Sequence, residues 1–83
     1  MPERFIVTVT DGKRFEVDLA IPSRQPIGEL RAKLLEILQS LDVYVFQGWQ
    51  GVALSFDGYT ILEKDTLADV GAFDGSRIIV SNN

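Results

Sequence analysis

The chain has 83 residues, 46% of them apolar and 24% charged, which is the composition of one globular domain over residues 1–83. It has no cysteine and no histidine, which excludes disulfides, thiolate nucleophiles and most hydrolase and metalloenzyme sites. Its net charge of −4 provides no basic footprint for nucleic acid or for an anionic membrane surface.

The first part of the sequence has the alternation of a half-buried hairpin. Residues 5–10 and 14–19 each place apolar side chains at every second position, and Asp11-Gly12 between them is a strong turn signal. We predict two antiparallel strands here, with Ile6 and Thr8 on the face that points away from the core.

A helix is predicted next, opening near Pro26, because proline is tolerated in the first turn of a helix. Its apolar residues recur at helical spacing on one stripe about four turns long. They are Ile27, Leu30, Leu34, Ile37, Leu38 and Leu41. Leu35 stands at the edge of this stripe, and we expect it to be partly exposed.

Residues 42–51 are the least regular stretch and are predicted to form a loop with a short extended piece. They contain three aromatic residues, Tyr44, Phe46 and Trp49. Since such rings bury much area each, the favoured interpretation of Tyr44 and Phe46 is that they cap one end of the core. For Trp49 this interpretation and that of a protein-binding anchor are equally open.

The rest of the sequence predicts a strand at residues 52–56, a short strand at 59–62 and a last strand at 77–80. Between the last two, Thr66 or Asp65 is expected to cap one helical turn that Gly71 ends. This order predicts an α+β fold of the β-grasp type, with a mixed four- to five-stranded sheet packed on one long helix and the last strand beside the first.

Several segments resemble ubiquitin in order and spacing: residues 7–13 with their Gly-Lys pair, the helix segment 31–34, the turn at 56–58 and the closing segment 66–78. The resemblance implies a ubiquitin-like β-grasp. In the same comparison ubiquitin's hydrophobic recognition patch is replaced, with Ser55, Ile79 and Ser81 at three of its positions. We therefore expect that ubiquitin-binding proteins do not recognise this chain.

Other segments resemble the EsaB/YukD family, small ubiquitin-like accessory proteins of type VII (WXG100/ESX-like) secretion in Gram-positive bacteria. They are residues 17–22 with Pro26-Ile27, residues 40–46 and residues 67–80. The resemblance implies a non-enzymatic, accessory or regulatory role, in which the chain binds protein components of the secretion machine. We expect it to be cytoplasmic, and recruitment by a partner to the inner face of the membrane is compatible with that location. The resemblance implies no cofactor, metal or small-molecule substrate.

Two alternatives remain open. A related domain lies at the cytoplasmic N-terminus of the EccD membrane subunits, so the chain is also compatible with an excised domain of that kind. A ubiquitin-like modifier or sulfur carrier is a weaker alternative, because those proteins need a C-terminal Gly-Gly and this sequence ends Ser81-Asn82-Asn83.

The predicted protein-binding residues lie mainly on the open face of the sheet. Ile6, Thr8, Ser55 and Ile79 are expected to share that face, with the two isoleucines near each other. The alternative interpretation is that the two isoleucines are isolated apolar residues, which are normal on protein surfaces. Trp49 and Leu35 complete the set. The carboxylate pairs Glu16 with Asp18 and Glu63 with Asp65 are interpreted as solvated surface charge rather than as an acid–base or cation site.

Overall fold

A computed structural model describes residues 3–83, which form one sheet with a helix across one of its faces. The elements are β1 (Arg4–Thr10), β2 (Glu16–Pro22), α1 (Ile27–Leu41), β3 (Val52–Phe56), β4 (Tyr59–Thr60) and β5 (Arg77–Asn82). The five strands lie in the order β2-β1-β5-β3-β4, in which β1 and β5 are parallel and the other neighbours are antiparallel.

This topology is the ubiquitin-like β-grasp, so the fold predicted from the sequence is confirmed. The sequence predicts a long helix, but α1 has only 15 residues and is short. The last strand extends to Asn82, two residues further than predicted, whereas β4 stops at Thr60.

The core lies between α1 and the inner face of the sheet. Alternate residues of β1, β3 and β5 point into it, since side chains along a strand alternate between its two faces. The apolar strand residues less than 5% exposed are Phe5, Val7, Val9, Val52, Leu54, Ile78 and Val80. From the helix, Ile27, Leu34 and Leu38 are buried against them. Burial of one such side chain stabilises the fold by about 1.5–3 kcal/mol.

The buried stripe of α1 is narrower than predicted. Leu30 and Ile37 are half-buried, because they face an opening beside β2. Leu41 is 51% exposed, since it is the last helical residue and the chain turns away at Asp42. These three residues therefore do not belong to the fully buried set.

The connection between β1 and β2 is a loop organised by Asp11, and β2 starts at Glu16 rather than at Arg14 as predicted. The Asp11 carboxylate accepts hydrogen bonds from the backbone N–H groups of Lys13, Arg14 and Phe15 at 2.9, 3.1 and 3.0 Å. Partial burial pushes the pKa of Asp11 up, but these N–H groups outweigh it and hold the pKa below its ordinary value.

Residues 43–48 form hydrogen-bonded turns and not the extended piece that was predicted. The Asp42 carboxylate accepts the N–H groups of Tyr44 and Val45, at 3.1 and 3.0 Å, and so fixes the start of the turns. This geometry buries Phe46 completely and leaves Tyr44 86% exposed. The prediction that both rings cap the core is therefore correct for Phe46 and wrong for Tyr44.

The N-terminus of α1 is held by the loop at residues 63–65, which precedes the turn at residues 66–71. Pro26 stands at the N-cap and offers no side-chain hydrogen bond. Instead, the N–H of Ile27 donates to the Asp65 carbonyl at 2.8 Å, and that of Gly28 donates to the Glu63 carbonyl at 3.0 Å. Helix N–H groups that have no partner within the helix are thus satisfied by backbone oxygens.

The turn between β4 and β5 is capped by Thr66 rather than by Asp65. The Thr66 hydroxyl accepts the N–H of Asp69 at 3.0 Å, and the Asp69 carboxylate accepts the N–H of Thr66 at 3.1 Å. This reciprocal pair is the arrangement of a capping box. Gly71 follows with φ +87°, as a left-handed cap requires.

Candidate protein-binding surfaces

The open face of the sheet carries Ile6 and Ile79, which are 57% and 44% exposed. Both point away from α1 as predicted, but they are not neighbours. In the parallel pairing of β1 with β5, Thr8 stands opposite Arg77 and Thr10 stands opposite Ile79. Ile6 is therefore four residues from the level of Ile79, which corresponds to roughly 13 Å along the strands.

Polar side chains occupy the open face between the two isoleucines. The Thr8 hydroxyl donates to the Asp18 carboxylate at 2.8 Å, and the Arg77 guanidinium pairs with the Glu16 carboxylate at 3.1 Å. Since apolar docking patches are contiguous, two separate isoleucines with a polar band between them make a weak docking surface.

Ser55, the fourth residue predicted on this face, is half-buried. It stands opposite Ile79 in the pairing of β3 with β5, and its hydroxyl lies 3.5 Å from the Ile79 carbonyl oxygen. Ser55 thus borders the Ile79 side of the open face and adds a polar group to it.

Trp49 is half-buried at one end of the core. Its ring meets Phe46 edge to face with 4.8 Å between centroids, and Phe46 meets Phe15 in the same way at 4.8 Å. The Gln39 side-chain amide donates to the carbonyls of Phe46 and Trp49 at 3.2 and 3.0 Å, which fixes the backbone that carries the rings. Of the two interpretations left open for Trp49, these contacts support the core cap.

Leu35 is half-buried and packs against the core, so only part of its side chain is accessible. This partial exposure agrees with its predicted position at the edge of the helix stripe.

The second carboxylate pair, Glu63 and Asp65, makes structural contacts. The Glu63 carboxylate pairs with Arg31 at 3.1 Å, and the Asp65 carboxylate accepts the Tyr59 hydroxyl at 2.9 Å. The hydrogen bond to Asp65, some burial and the negative charge of Asp65 together raise the pKa of Tyr59. Within residues 3–83, no group of three or more acidic side chains is arranged to hold a metal ion.

The structure also reveals a surface that sequence reasoning did not find, a groove of about 320 Å³ between α1 and β2. We call it the α1/β2 groove. It is lined by Arg4, Leu19, Ala20, Ile21, Pro22, Ile27, Leu30, Arg31, Lys33, Leu34, Ile37 and Leu54. Leu19, Leu30, Ile37 and Pro22 are the half-buried apolar residues among them.

A signal for this groove is present in the sequence. Leu19 and Ile21 alternate on the second strand of the hairpin, and Arg31 and Lys33 flank Leu30 and Leu34 on the helix. The sequence does not show how far the helix stands from that strand. In the structure, Cα atoms of α1 approach those of β3 to within 8 Å, but none comes this close to β1 or β2.

Comparison with solved structures places the whole chain among ubiquitin-like domains. The ubiquitin-like domain of the Mycobacterium tuberculosis type VII secretion system protein EccD1 superposes with a TM-score of 0.76 at 23% identity, covering 93% of this chain and 96% of that domain. The ubiquitin-like domain of EccD5 from Mycobacterium xenopi gives a TM-score of 0.78 at 16% identity, covering 96% and 94%.

A third similar structure is a chain of the MycP5-free ESX-5 inner membrane complex, with a TM-score of 0.79 at 20% identity. The match covers 96% of this chain but only 21% of that one, so this chain spans about a fifth of its length. No family model matches the sequence, and no curated protein shows significant similarity to it. At these identities the comparisons establish the ubiquitin-like fold.

Proposed function

We propose that this chain is a protein-binding domain of a type VII secretion system, acting on the cytoplasmic side and without catalysis. The observation that carries the proposal is the match to two isolated EccD ubiquitin-like domains over nearly the full length of both partners. The resemblance of residues 17–22, 40–46 and 67–80 to the EsaB/YukD family supports the same machine. In residues 3–83 no helix is both long and apolar enough to span a membrane.

Two forms of the proposal differ in whether the domain acts alone. In the first, it is a stand-alone EsaB/YukD-like accessory protein that binds the secretion machine. In the second, it is the ubiquitin-like domain of an EccD-type membrane subunit. The second is favoured by the match to one fifth of a much longer chain in an inner membrane complex.

Fractionation of the source cells distinguishes these two forms. An antibody against the purified chain is used to blot the cytosolic and membrane fractions. A stand-alone protein gives a band near 9.2 kDa that a high-salt wash removes from membranes. A domain of a membrane subunit gives a much larger band that only detergent extracts.

The proposed role itself is tested by deleting the codons for residues 1–83 and measuring the export of small WXG-type substrates. Export should fall and recover when the codons are restored. Unchanged export, with no secretion component recovered in a pull-down, would contradict the proposal.

A further inference from the structure

β2 is an edge strand, because among residues 3–83 only β1 pairs with it. Hydrogen bonds at both ends of this pair reveal which backbone groups are free. The N–H of Ser23 donates to the Glu3 carbonyl at 2.9 Å, and the N–H of Asp11 donates to the Phe15 carbonyl at 3.3 Å. Hydrogen-bonded pairs alternate along an antiparallel ladder, so the odd-numbered residues of β2 bond to β1.

The even-numbered residues of β2 therefore direct their N–H and C=O groups away from the sheet. Asp18 offers a free donor and a free acceptor on this edge. Ala20 offers a free donor, and its carbonyl accepts only a long hydrogen bond of 3.5 Å from the Arg4 side chain. Pro22 has no N–H, and its place in the strand fits this assignment because proline is tolerated where the N–H would face outward. The free edge thus ends at Pro22.

The α1/β2 groove runs beside this edge, so a strand added to β2 would direct alternate side chains into it. The half-buried Leu19, Leu30 and Ile37 present apolar surface there, with Leu34 beneath them. Partner proteins that add a strand gain main-chain hydrogen bonds from the edge and specificity from pockets for alternate side chains.

The charge around the groove is opposite to that of the chain as a whole. The sequence has 12 acidic and 8 basic residues, yet the groove is lined by Arg4, Arg31 and Lys33 and by no carboxylate. Arg4 stands opposite Pro22 in the ladder, and its guanidinium lies 3.5 Å from the Ala20 carbonyl oxygen.

The helix cations have carboxylate neighbours outside the groove. Arg31 pairs with Glu63 at 3.1 Å and Lys33 pairs with Glu36 at 3.4 Å, and the side chains of both carboxylates are more than 70% exposed. The Lys33 side chain is 71% exposed as well, and ion pairs between two exposed side chains are weak, so a partner's carboxylate competes for Lys33 at little cost.

We propose that the α1/β2 groove binds an extended segment of a partner protein, which adds to β2 as a sixth strand. The segment has apolar residues at alternate positions, facing Leu19, Leu30 and Ile37, and acidic residues at the end beside Pro22, facing Arg4. This rests on the proposed function only in taking the chain as a protein-binding domain, and its test needs no secretion component.

The test is titration of the ¹⁵N-labelled chain with a synthetic peptide of about ten residues, enough to pair along β2. The peptide has valine and isoleucine in its middle and aspartates at one end, and a second peptide has the aspartates at the other end. Control peptides carry lysine in place of aspartate, or proline in the middle. We expect amide shifts at Asp18 and Ala20, and binding by one acidic peptide but by neither control.

Two variants separate the backbone and charge contributions. Ala20→Pro removes the outward N–H, leaves the ladder with β1 intact and should abolish binding, with the amide spectrum showing that the fold is kept. The double variant Arg4→Glu with Lys33→Glu should weaken binding about tenfold, whereas Lys13→Glu with Arg14→Glu, an equal charge change on the hairpin loop, should change it less than about twofold.

Several results would overturn the proposal: no shift with either acidic peptide, shifts confined to Ile6 and Ile79, or undiminished binding by Ala20→Pro. Dimerisation of the free chain through β2, seen by sedimentation as a mass that grows with concentration, would make a second copy the occupant and also overturn it. If neither acidic peptide binds but deletion of residues 1–83 still lowers export, the groove proposal is refuted and the proposed function stands.

Discussion

Gly28 lies directly against Glu63, so that a β-carbon added at residue 28 would stand 3.0 Å from the Glu63 β-carbon and 3.2 Å from its carbonyl oxygen. The Gly28 N–H donates to that same carbonyl at 3.0 Å. Helix α1 and the loop at residues 63–65 therefore meet backbone to backbone, and glycine permits the contact.

Gly28→Ala should destabilise the domain although alanine is the better helix former. Separating the helix from the loop costs about 1–3 kcal/mol, as other overpacked contacts do, which exceeds the gain of up to about 1 kcal/mol in helix propensity. Thermal denaturation should show a lower Tm, by about 4–8 °C for each kcal/mol of net loss. The exposed Ser40→Ala in the same helix should leave Tm nearly unchanged, and an equally stable Gly28→Ala would show that the loop does not pack there.

The position of the buried helix stripe predicts a contrast between two leucines. Leu38 is fully buried and Leu41 is 51% exposed. Leu38→Ala should lower the free energy of unfolding by about 2–5 kcal/mol, through lost burial and the cavity left behind. Leu41→Ala should change it by about 0.5 kcal/mol or less. Urea denaturation measures both, and similar losses for the two variants would mean that α1 is rotated relative to this description.

Asp11 should make the stability of the hairpin depend on pH. Because the folded pKa of Asp11 lies below its unfolded value of about 3.9, its contribution is complete above that value and is lost as pH falls through the folded pKa. Asp11→Asn retains an acceptor without the charge. The wild-type protein should therefore exceed this variant in Tm at pH 7, and the gap should narrow near pH 3. A gap that does not change with pH would exclude the charge as its cause.

Much of the fold was predictable because single elements carry periodic patterns. The alternation in residues 5–10 predicted β1, and the spacing of apolar residues after Pro26 predicted α1, because each pattern reflects the geometry of its own element. The predictions that were wrong concern details that are set by local side-chain hydrogen bonds. Asp42, which fixes the turn that exposes Tyr44 and buries Phe46, left no periodic pattern to read.

The candidate sites were less predictable, because they depend on how elements are placed relative to one another. The distance between Ile6 and Ile79 follows from the parallel register of β1 and β5, fixed by contacts such as the 2.8 Å hydrogen bond from the Thr8 N–H to the Ser76 carbonyl. The α1/β2 groove likewise depends on the position of the helix over the sheet. Periodicity within one element carries no information about either.

The central claim is that this domain binds a protein component of a type VII secretion machine. It is tested most directly by cross-linking in the source cells, purifying an affinity-tagged form of the native protein that contains the domain, and identifying the partners by mass spectrometry. We predict that a secretion component is cross-linked to a peptide from residues 3–83 and enriched over a mock purification. Partners drawn only from unrelated processes would contradict the claim.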